Sequence, residues 1–368
     1  MATQVDTVFR IPPFRVLHVD LGMEYRGGQR QVLYLAREQL RAGMDVRVAS
    51  PKGAPILDMA GRMGIPVVIL PARYDFDPRN IFCLARACGG SDTILHTHDA
   101  RGASLGALVS LARWRVCLVH TRRVSYSLGQ GWSRWKYRRG HCVVCVSREV
   151  EDVVRGAGVA RTRVIASTIP LERYTPRGHE NGGRIGVIGA LSPQKGHAQF
   201  FAALARLEKI PEVWVVGAGE LESGLRAQAS QLGLDGHIVW KGHVESFQVL
   251  PFLDILVVPS AHGEGSSGVI KEGWVSQVPV VCSDLPANEE LVQNEVNGLV
   301  FRNGDVAHLA AQIERLRKEP ALVKTLVAQG CKDVELYAPA RMHELYVHAY
   351  VAFCDYGCKK NNKFVGQS

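Results

Sequence analysis

The sequence predicts an α/β protein of two domains, each built on a parallel sheet that helices cover on both faces. Its 368 residues exceed the length at which a single hydrophobic core usually stops growing. Short apolar runs alternate with helical patterns along the whole chain, as is typical of parallel strands joined by helices. A polar stretch rich in Gly, Pro and charge, residues 175–183, divides this alternation into two series. Two such units leave a cleft, and ligands of parallel α/β sheets bind at the carboxyl ends of the strands.

Each series contains a regular succession of elements. The first helix is expected over residues 28–42, where Val32, Leu35, Ala36 and Leu40 recur at helical spacing. We expect an N-terminal domain over residues 1–176, a C-terminal domain over 177–338, and a final helix with a polar tail over 339–368. The predicted strands span 15–19, 45–49, 66–70, 93–97, 116–121, 141–147 and 163–167 in the first series, and 184–189, 212–217, 237–240, 255–258, 279–282 and 298–301 in the second.

The composition favours a cytoplasmic globular protein. Hydrophobic residues make up 46% and charged residues 21%, and residues 1–13 lack the long apolar core of a signal peptide. Nine cysteines show no disulfide-like framework, so we expect Cys354 and Cys358 to be free thiols in a reducing compartment. Cys142 and Cys145 lie in an apolar strand, where positions three apart face opposite ways, so they are not expected to share a metal.

The net charge of +9 is concentrated in one part of the first domain. No acidic residue occurs between Asp99 and Glu149, and basic residues alternate with aromatic ones over residues 113–139. This pattern fits an anionic membrane surface or a phosphorylated acceptor, with aromatic side chains at the interface. A solvated basic face is the simpler interpretation. Nucleic acid is not expected, since no DNA- or RNA-binding motif accompanies the charge.

The segment HGEGSSGVIKEGW, residues 262–274, holds the strongest chemical signal. It follows a predicted strand and places Gly265, Ser266, Ser267 and Gly268 between two carboxylates, Glu264 and Glu272. A helix expected to begin at Gly268 would present free backbone N–H groups, which suit a phosphate. The carboxylates can accept hydrogen bonds from hydroxyls on either side, and a phosphate flanked by hydroxyls describes a nucleotide sugar.

Other strand ends carry polar or small residues that are expected to face the cleft. Gly27 and Gly28 open the first helix and permit close backbone approach to a phosphate or sugar. Lys195 follows the first strand of the second series and is placed to neutralise a diphosphate. His98 and Asp99 end the fourth strand and are candidates for the acceptor side. His96 and His98 form an H-x-H, but no third ligand is obvious, so no metal is expected.

Two further patterns admit other interpretations. Asp75 and Asp77 form a D-x-D in a loop of the first domain, which we interpret as a turn. Gly217 and Gly219 resemble the start of a dinucleotide fingerprint, but Glu222 replaces its third glycine. An NAD-dependent two-domain dehydrogenase therefore remains an alternative. A non-catalytic sugar-binding protein of the periplasmic type is a second alternative, although it would need a signal peptide.

The order of strand, Gly/Ser loop, helix, PVVCSDLPANEEL and NGLVF resembles the donor-binding domain of retaining glycosyltransferase family 4, also called group 1. The segment matches the E-x7-E element of that family, and the likeness extends from about Phe14 to Phe353. The resemblance implies the GT-B fold, two Rossmann-like domains with parallel sheets facing across a cleft. It also implies that the last helix crosses back to the first domain.

The resemblance implies a role for each candidate residue. Glu264, His120 and Lys195 would be catalytic: Glu264 and His120 beside the donor sugar, and Lys195 on the leaving diphosphate. Glu272 would bind the ribose hydroxyls, while Gly265, Ser266, Ser267 and Gly268, with Gly27 and Gly28, would approach the sugar and phosphates. We assign Arg122 to the acceptor side with His98 and Asp99. One family arginine is absent, because Ala190 occupies its position.

The same resemblance predicts the partners. The donor would be a UDP- or GDP-sugar, and the acceptor a glycan or lipid-linked saccharide in the synthesis of cell-envelope polysaccharide or lipopolysaccharide. Neither a metal nor another cofactor would be needed. Residues 113–139 would hold the enzyme peripherally on the inner face of the cell membrane.

Overall fold

The computed structural model describes residues 14–354, except 90–91, 114 and 179–181. Within these residues the strands are β1 (Arg15–Val19), β2 (Val46–Pro51), β3 (Val67–Leu70), β4 (Thr93–Thr97), β5 (Val116–Arg122), β6 (Cys142–Cys145), β7 (Thr162–Val164), β8 (Ile185–Ile188), β9 (Val213–Val216), β10 (Ile238–Gly242), β11 (Ile255–Val258), β12 (Val280–Ser283) and β13 (Leu299–Phe301). Each coincides with a predicted strand, with ends shifted by only a few residues.

Helices connect the strands. They are α1 (Gly27–Arg41), α2 (Pro55–Arg62), α3 (Pro78–Cys88), α4 (Ala100–Ala112), α5 (Trp132–Arg139), α6 (Arg148–Gly156), α7 (His197–Leu204), α8 (Glu222–Gln231), α9 (Gly268–Val275), α10 (Pro286–Glu289), α11 (Val306–Lys318), α12 (Pro320–Asp333) and α13 (Pro339–Phe353). In the described part of the chain, none of these helices is long and apolar enough to cross a bilayer.

The strands form two parallel sheets, as the sequence predicts. The first has the order β3-β2-β1-β4-β5-β6-β7 and the second the order β10-β9-β8-β11-β12-β13. In the first sheet, β1 to β3 extend toward one edge and β4 to β7 toward the other, so the strand order reverses between β1 and β4. In the second sheet the same reversal lies between β8 and β11. Loops that leave adjacent strands at such a reversal diverge to opposite faces of the sheet and open a crevice between them. The predicted fold class, two Rossmann-like α/β domains, is confirmed.

Apolar residues fill both faces of each sheet. Cys142 packs in the core beneath α1 and α13, whereas Cys145 packs in the core beneath α5 and α6. The two thiols therefore face opposite sides of β6, as predicted. One cysteine prediction is wrong: Cys354 is not a free thiol, because it forms a disulfide with Cys117, with 5.6 Å between the Cα atoms. Folding brings together two positions that lie 237 residues apart in the sequence. Cys358 lies outside the described residues.

The last helix belongs to the core of the first domain. Tyr346 and Tyr350 of α13 are buried beside α1 and beneath β1 and β4. The predicted boundary between residues 176 and 177 falls between β7 and β8, the last strand of one sheet and the first of the other. The predicted polar tail lies beyond the described residues.

Polar contacts join the two domains around the cleft. Gln31 of α1 exchanges two hydrogen bonds with the backbone of Thr168, at 2.7 and 2.8 Å. The guanidinium of Arg30 forms a bidentate ion pair with Glu245, which follows β10, at 2.6 and 3.0 Å. These contacts place the amino end of α1 against the second domain.

We expect the hydroxyl of Tyr350 to stabilise the fold. It lies 2.7 Å from His96 Nδ1 and accepts a hydrogen bond from Gln39 Nε2 at 3.3 Å, and all three residues are buried. Tyr350→Phe leaves His96 Nδ1 and Gln39 Nε2 without this partner, which should cost about 1–3 kcal/mol. The midpoint of urea denaturation should fall accordingly.

The adjacent residue supplies the matched control for this variant. Val351 lies on the same helix but is 62% exposed, so Val351→Ala should change stability by less than about 0.5 kcal/mol. Equal midpoints for the two variants would contradict the role given to the hydroxyl.

Candidate active site

A cleft of about 850 Å³ lies between the domains at the carboxyl ends of both sheets. Its walls include the amino end of α1, the residues after β5, and the loops after β8 and β11. Predicted donor-site residues that line it are Gly27, Gly28, Lys195, Glu264, Gly265, Ser266, Gly268 and Glu272. The structure thus brings together nearly the whole donor-binding set predicted from the sequence.

The two carboxylates occupy the positions that the sequence predicts for them. Glu264 lies in the loop after β11, and α9 begins at Gly268 with Ser267 as its N-cap. The side chain of Ser267 forms no capping hydrogen bond, so the first-turn N–H groups receive no bond from it. Glu272 follows on the second turn of the same helix. One short segment therefore presents a helix amino end, which suits an anion, between two carboxylates that can accept hydrogen bonds from hydroxyls.

Glu264 is fixed by an ion pair. Its Oε1 lies 2.6 Å from Lys195 Nζ and accepts a hydrogen bond from the hydroxyl of Ser260 at 2.5 Å. The carboxylate is only 6% exposed. Lys195 comes from the loop after β8 and Glu264 from the loop after β11, so the pair spans the strand-order reversal of the second sheet. A buried carboxylate and an ammonium group lie side by side at the expected phosphate site.

Glu272 lies in a part of the cleft that contains hydroxyl groups, and its Oε1 is 3.7 Å from the place where a Cβ on Gly268 would stand. It accepts hydrogen bonds from Tyr174 and Ser246, and burial raises the pKa of its carboxyl. Burial and the nearby carboxylate also raise the pKa of Tyr174. Tyr34 and Arg173 complete this part of the cleft. The Glu272 carboxylate can accept hydrogen bonds from a diol, as binding of the ribose hydroxyls would require.

Gly265 is required by the contact between the domains. A Cβ atom at this position would lie 2.4 Å from the carbonyl oxygen of Arg123, well inside contact distance. Only glycine lets the Gly/Ser loop of the second domain approach the backbone that follows β5 in the first. By contrast, a Cβ at Gly27 would meet nothing within 4 Å, so steric contact does not demand glycine there.

His120 is buried beneath the cleft rather than in its wall. Its Nε2 lies 3.1 Å from the carbonyl of Lys136, which can only accept, so Nε2 carries the proton and Nδ1 accepts from the Thr97 hydroxyl at 2.6 Å. Burial lowers the pKa of this imidazole to about 3. Both nitrogens are therefore occupied, and the structure does not bring His120 together with Glu264.

Arg122 is likewise directed into the first domain. It is 4% exposed, donates to the carbonyl of Tyr126 and lies over the Tyr126 and Tyr137 rings, at 5.0 and 5.7 Å. Arg122 was assigned to the acceptor side, but it does not line the cleft. The next residue, Arg123, lines the cleft instead.

His98 belongs to a cluster of buried imidazoles that includes one residue the sequence did not identify. One nitrogen each of His18, His96 and His98 lies within 4.8 Å of the others, a spacing that could hold a metal ion. The third imidazole, which was not obvious from the H-x-H pair, is that of His18. This residue comes from β1, and its position beside β4 depends on strand pairing that a local motif does not reveal.

Hydrogen bonds account for five of the six ring nitrogens in this cluster. His18 Nε2 donates to the Gln39 carbonyl oxygen at 2.7 Å, so His18 Nδ1 accepts from His98 Nε2 at 2.9 Å. His96 bonds to hydroxyls through both nitrogens. Burial lowers the pKa of His18 to about 4 and those of His96 and His98 well below the usual value. The cluster is a neutral network in which only His98 Nδ1 lacks a partner among the described residues.

The carboxylates near the first sheet have structural roles. Asp99 caps α4 by accepting from the backbone of Gly102 and Arg101, and burial with the nearby Asp20 raises its pKa to about 6. Asp77 caps α3 and pairs with Arg79, which confirms the interpretation of the D-x-D as a turn.

The glycines of the second-domain G-x-G serve loop packing. A Cβ at Gly217 would lie 1.9 Å from the carbonyl of Gly189, and one at Gly219 would lie 2.4 Å from that of Leu191. They allow the loops after β8 and β9 to touch. This explains the pattern without a dinucleotide.

Lys271 is a site residue that the sequence analysis missed. It is fully buried, and its ammonium group donates to the Ser266 hydroxyl and to the carbonyl of Ser167, both at 2.7 Å. Burial lowers its pKa to about 7. It therefore anchors the Gly/Ser loop to the first domain. A lysine directly before Glu272 on an otherwise apolar helix face was the available signal.

Comparison with known proteins agrees with this architecture. Residues 25–173 match the family model described as glycosyltransferase family 4, and residues 182–319 match the model described as glycosyl transferases group 1. The chain is 25% identical to EpsD of Bacillus subtilis (strain 168), named as a glycosyltransferase, over 87% of this chain and 92% of that protein. It is 22% identical to the Escherichia coli UDP-Gal:alpha-D-GlcNAc-diphosphoundecaprenol alpha-1,3-galactosyltransferase, over 87% and 91%.

A solved structure shares the fold at low sequence identity. Anabaena Alr3699/HepE, crystallised in complex with UDP, superposes with a TM-score of 0.82 at 18% identity, covering 92% of this chain and all of that one. The two family models together span more than three quarters of the sequence. With two Rossmann-like domains around a cleft that holds the E-x7-E element, the chain belongs to glycosyltransferase family 4, group 1, and has the GT-B fold.

Proposed function

We propose that this glycosyltransferase moves a sugar from a UDP- or GDP-sugar to a glycan or lipid-linked acceptor, with retention of anomeric configuration. The observation that supports it best is the ion pair of Lys195 and Glu264 beside the amino end of α9, with Glu272 on the next turn. This arrangement offers a cation and free N–H groups for a diphosphate between two hydroxyl acceptors.

Each residue then has a defined task. Glu264 accepts hydrogen bonds from the donor sugar, Glu272 from the ribose, and Lys195 with the helix end stabilises the leaving diphosphate. For retention we propose that the acceptor attacks the face from which the diphosphate leaves, with that phosphate taking the acceptor's proton. Both carboxylates would thus position substrate rather than form a covalent intermediate.

Cell-envelope polysaccharide or lipopolysaccharide synthesis is the proposed setting. The Escherichia coli relative is named for a UDP-sugar donor and a diphosphoundecaprenol acceptor. The first domain of this chain also exposes aromatic side chains near its basic stretch. Trp132 and Trp135 stack at 4.6 Å, and Phe76 lies 5.4 Å from Trp132. With these features, the proposal places the enzyme peripherally on the inner face of the membrane.

The two glutamates should separate catalysis from binding. Glu264→Ala should abolish transfer, whereas Glu272→Ala should mainly weaken UDP or GDP binding, by roughly tenfold or more, since a hydrogen bond to a charged group contributes about 1.5–3 kcal/mol. Transfer assays and calorimetry with both nucleotides measure these effects. Glu335→Ala, an exposed carboxylate outside the cleft, is the control. Wild-type turnover and affinity in both glutamate variants would rule out the assignment.

Transfer should not depend on a metal. Lys195 and the amino end of α9 supply the positive field that a divalent cation supplies in other glycosyltransferases. Activity should survive dialysis against EDTA, and metal analysis of the purified protein should find less than one equivalent at the three histidines. Loss of turnover on chelation, restored by manganese or magnesium, would contradict this prediction.

Anionic vesicles should bind the basic stretch, but through fewer residues than its sequence indicates. Lys136 is buried and donates to Ala100 and Ser104, so Arg134, Arg138 and Arg139 are the available charges of α5. Each contributes on the order of 1 kcal/mol near such a surface. The protein should pellet with phosphatidylglycerol vesicles at low salt and remain in solution with neutral ones.

The triple change of these arginines to Gln should release the protein from the vesicles without loss of soluble nucleotide binding. Salt should act in the same direction, because screening sets in within about 10 Å at 0.1 M. Equal binding to neutral and anionic vesicles would show that charge does not drive the association.

A further inference from the structure

The loop after β8 supplies one cation to the donor site, Lys195, because Ala190 stands where the family resemblance implies an arginine. Ala190 is exposed at the loop after β8, where its methyl group can neutralise nothing. The remaining cation there, Lys195, is already paired with Glu264. A diphosphate brings at least two negative charges into a partly buried cleft, where unpaired charge is costly. A second cation must therefore come from another element.

Ion pairs occupy two of the other cationic residues in the cleft wall. Arg26 is paired with Glu24, and Arg30 forms its bidentate pair with Glu245. A third, Arg173, lies over the ring of Phe247 at 4.5 Å, in the part of the cleft that holds Glu272. Because Glu272 is the proposed ribose carboxylate, we assign Arg173 to the nucleoside rather than to the phosphates.

Arg123 remains, and it lies between the two glycine loops. It follows β5, and its backbone carbonyl is the atom against which Gly265 packs. Its Cδ lies 3.7 Å from the place where a Cβ on Gly28 would stand. The amino end of α1 and the Gly/Ser loop before α9 thus approach the same arginine from opposite domains.

The guanidinium of Arg123 has unused donor capacity. In the described part of the chain its Nε is buried without a hydrogen-bond partner, and burial lowers the pKa of the guanidinium. It is hydrogen-bonded to the Tyr346 hydroxyl and is close enough to Asp20 for a favourable charge interaction. A planar guanidinium held by a tyrosine, with donors to spare, is suited to bidentate binding of a phosphate.

We propose that Arg123 binds the distal phosphate of the nucleotide diphosphate from the first domain, in place of the arginine that Ala190 replaces. The inference rests on the proposed donor class. It adds a charged contact to the part that the first domain has in donor binding, so that diphosphate binding also holds the two domains together through Arg123 and Lys195.

Calorimetry with UDP and UMP, repeated with GDP and GMP, tests the proposal, because only the diphosphates carry the distal phosphate. Arg123→Gln should weaken binding of the preferred diphosphate about 10- to 100-fold and leave binding of the monophosphate nearly unchanged. Arg123→Lys should retain part of the preference for the diphosphate. Thermal melting of each variant checks that it is folded.

Two further variants make the test specific. Arg173→Gln is the matched control, and it should weaken diphosphate and monophosphate equally. In the Arg123→Gln background, Ala190→Arg should restore diphosphate binding, since position 190 is exposed and lies in the same loop after β8 as Lys195. If the double variant binds the diphosphate no better than Arg123→Gln alone, positions 123 and 190 do not serve the same phosphate, which would contradict the proposal.

The outcomes separate this inference from the proposed function. Wild-type protein that binds neither UDP nor GDP would overturn the donor class and this inference with it. Wild-type protein that binds one of them, with an unchanged ratio of diphosphate to monophosphate affinity in a folded Arg123→Gln variant, would overturn the inference alone. Normal nucleotide binding with impaired transfer would also overturn it, by placing Arg123 on the acceptor side.

Discussion

Parallel strand pairing is the constraint on which the rest of this molecule depends. Because all strands of a sheet run in one direction, every strand-to-helix loop emerges at the same edge. In the second sheet this brings Lys195, after β8, to 2.6 Å from Glu264, after β11, although 69 positions separate them. The ion pair exists because β8 and β11 are neighbours at the reversal of strand order. An antiparallel sheet would place half of these loops at the far edge.

Close backbone contact between the domains depends on the absence of side-chain atoms. Gly265 lets the Gly/Ser loop touch the carbonyl of Arg123, and Lys271 fastens the adjacent Ser266 to Ser167. An ammonium group buried with two oxygen acceptors and the Tyr337 ring lacks a paired carboxylate, which is why burial lowers its pKa to about 7. The loop that faces the expected phosphate is thus held by both domains, with little freedom to adjust alone.

Polar residues at the ends of the first-sheet strands divide into two groups with different physics. His18, His96, His98 and His120 lie beneath the cleft as neutral imidazoles, and every ring nitrogen except His98 Nδ1 has a hydroxyl, amide, carbonyl or imidazole partner among the described residues. They form a buried polar layer whose hydrogen bonds extend to the tyrosines of α13. The glycines of α1 and Arg123 line the cleft next to this layer, and the largely buried guanidinium of Arg123 is bonded to Tyr346 at its edge. The layer supports the site, while the residues next to it are free to meet a ligand.

The sequence by itself determined the elements of this fold and the chemistry of its second domain. Strand and helix patterns arise from neighbours a few positions apart, so apolar periodicity located every described strand. Glu264, the small residues and Glu272 lie within one loop and two helical turns, so their mutual placement is local as well. Tertiary structure decided the rest. The direction of Arg122 into the domain and of Arg123 into the cleft depends on where β5 ends against its neighbours. The meeting of His18 with His98, 80 residues away, and of Cys117 with Cys354 depends on which strands and helices pack together. No local pattern encodes such contacts, because their energy comes from side chains that meet only once the sheets have formed.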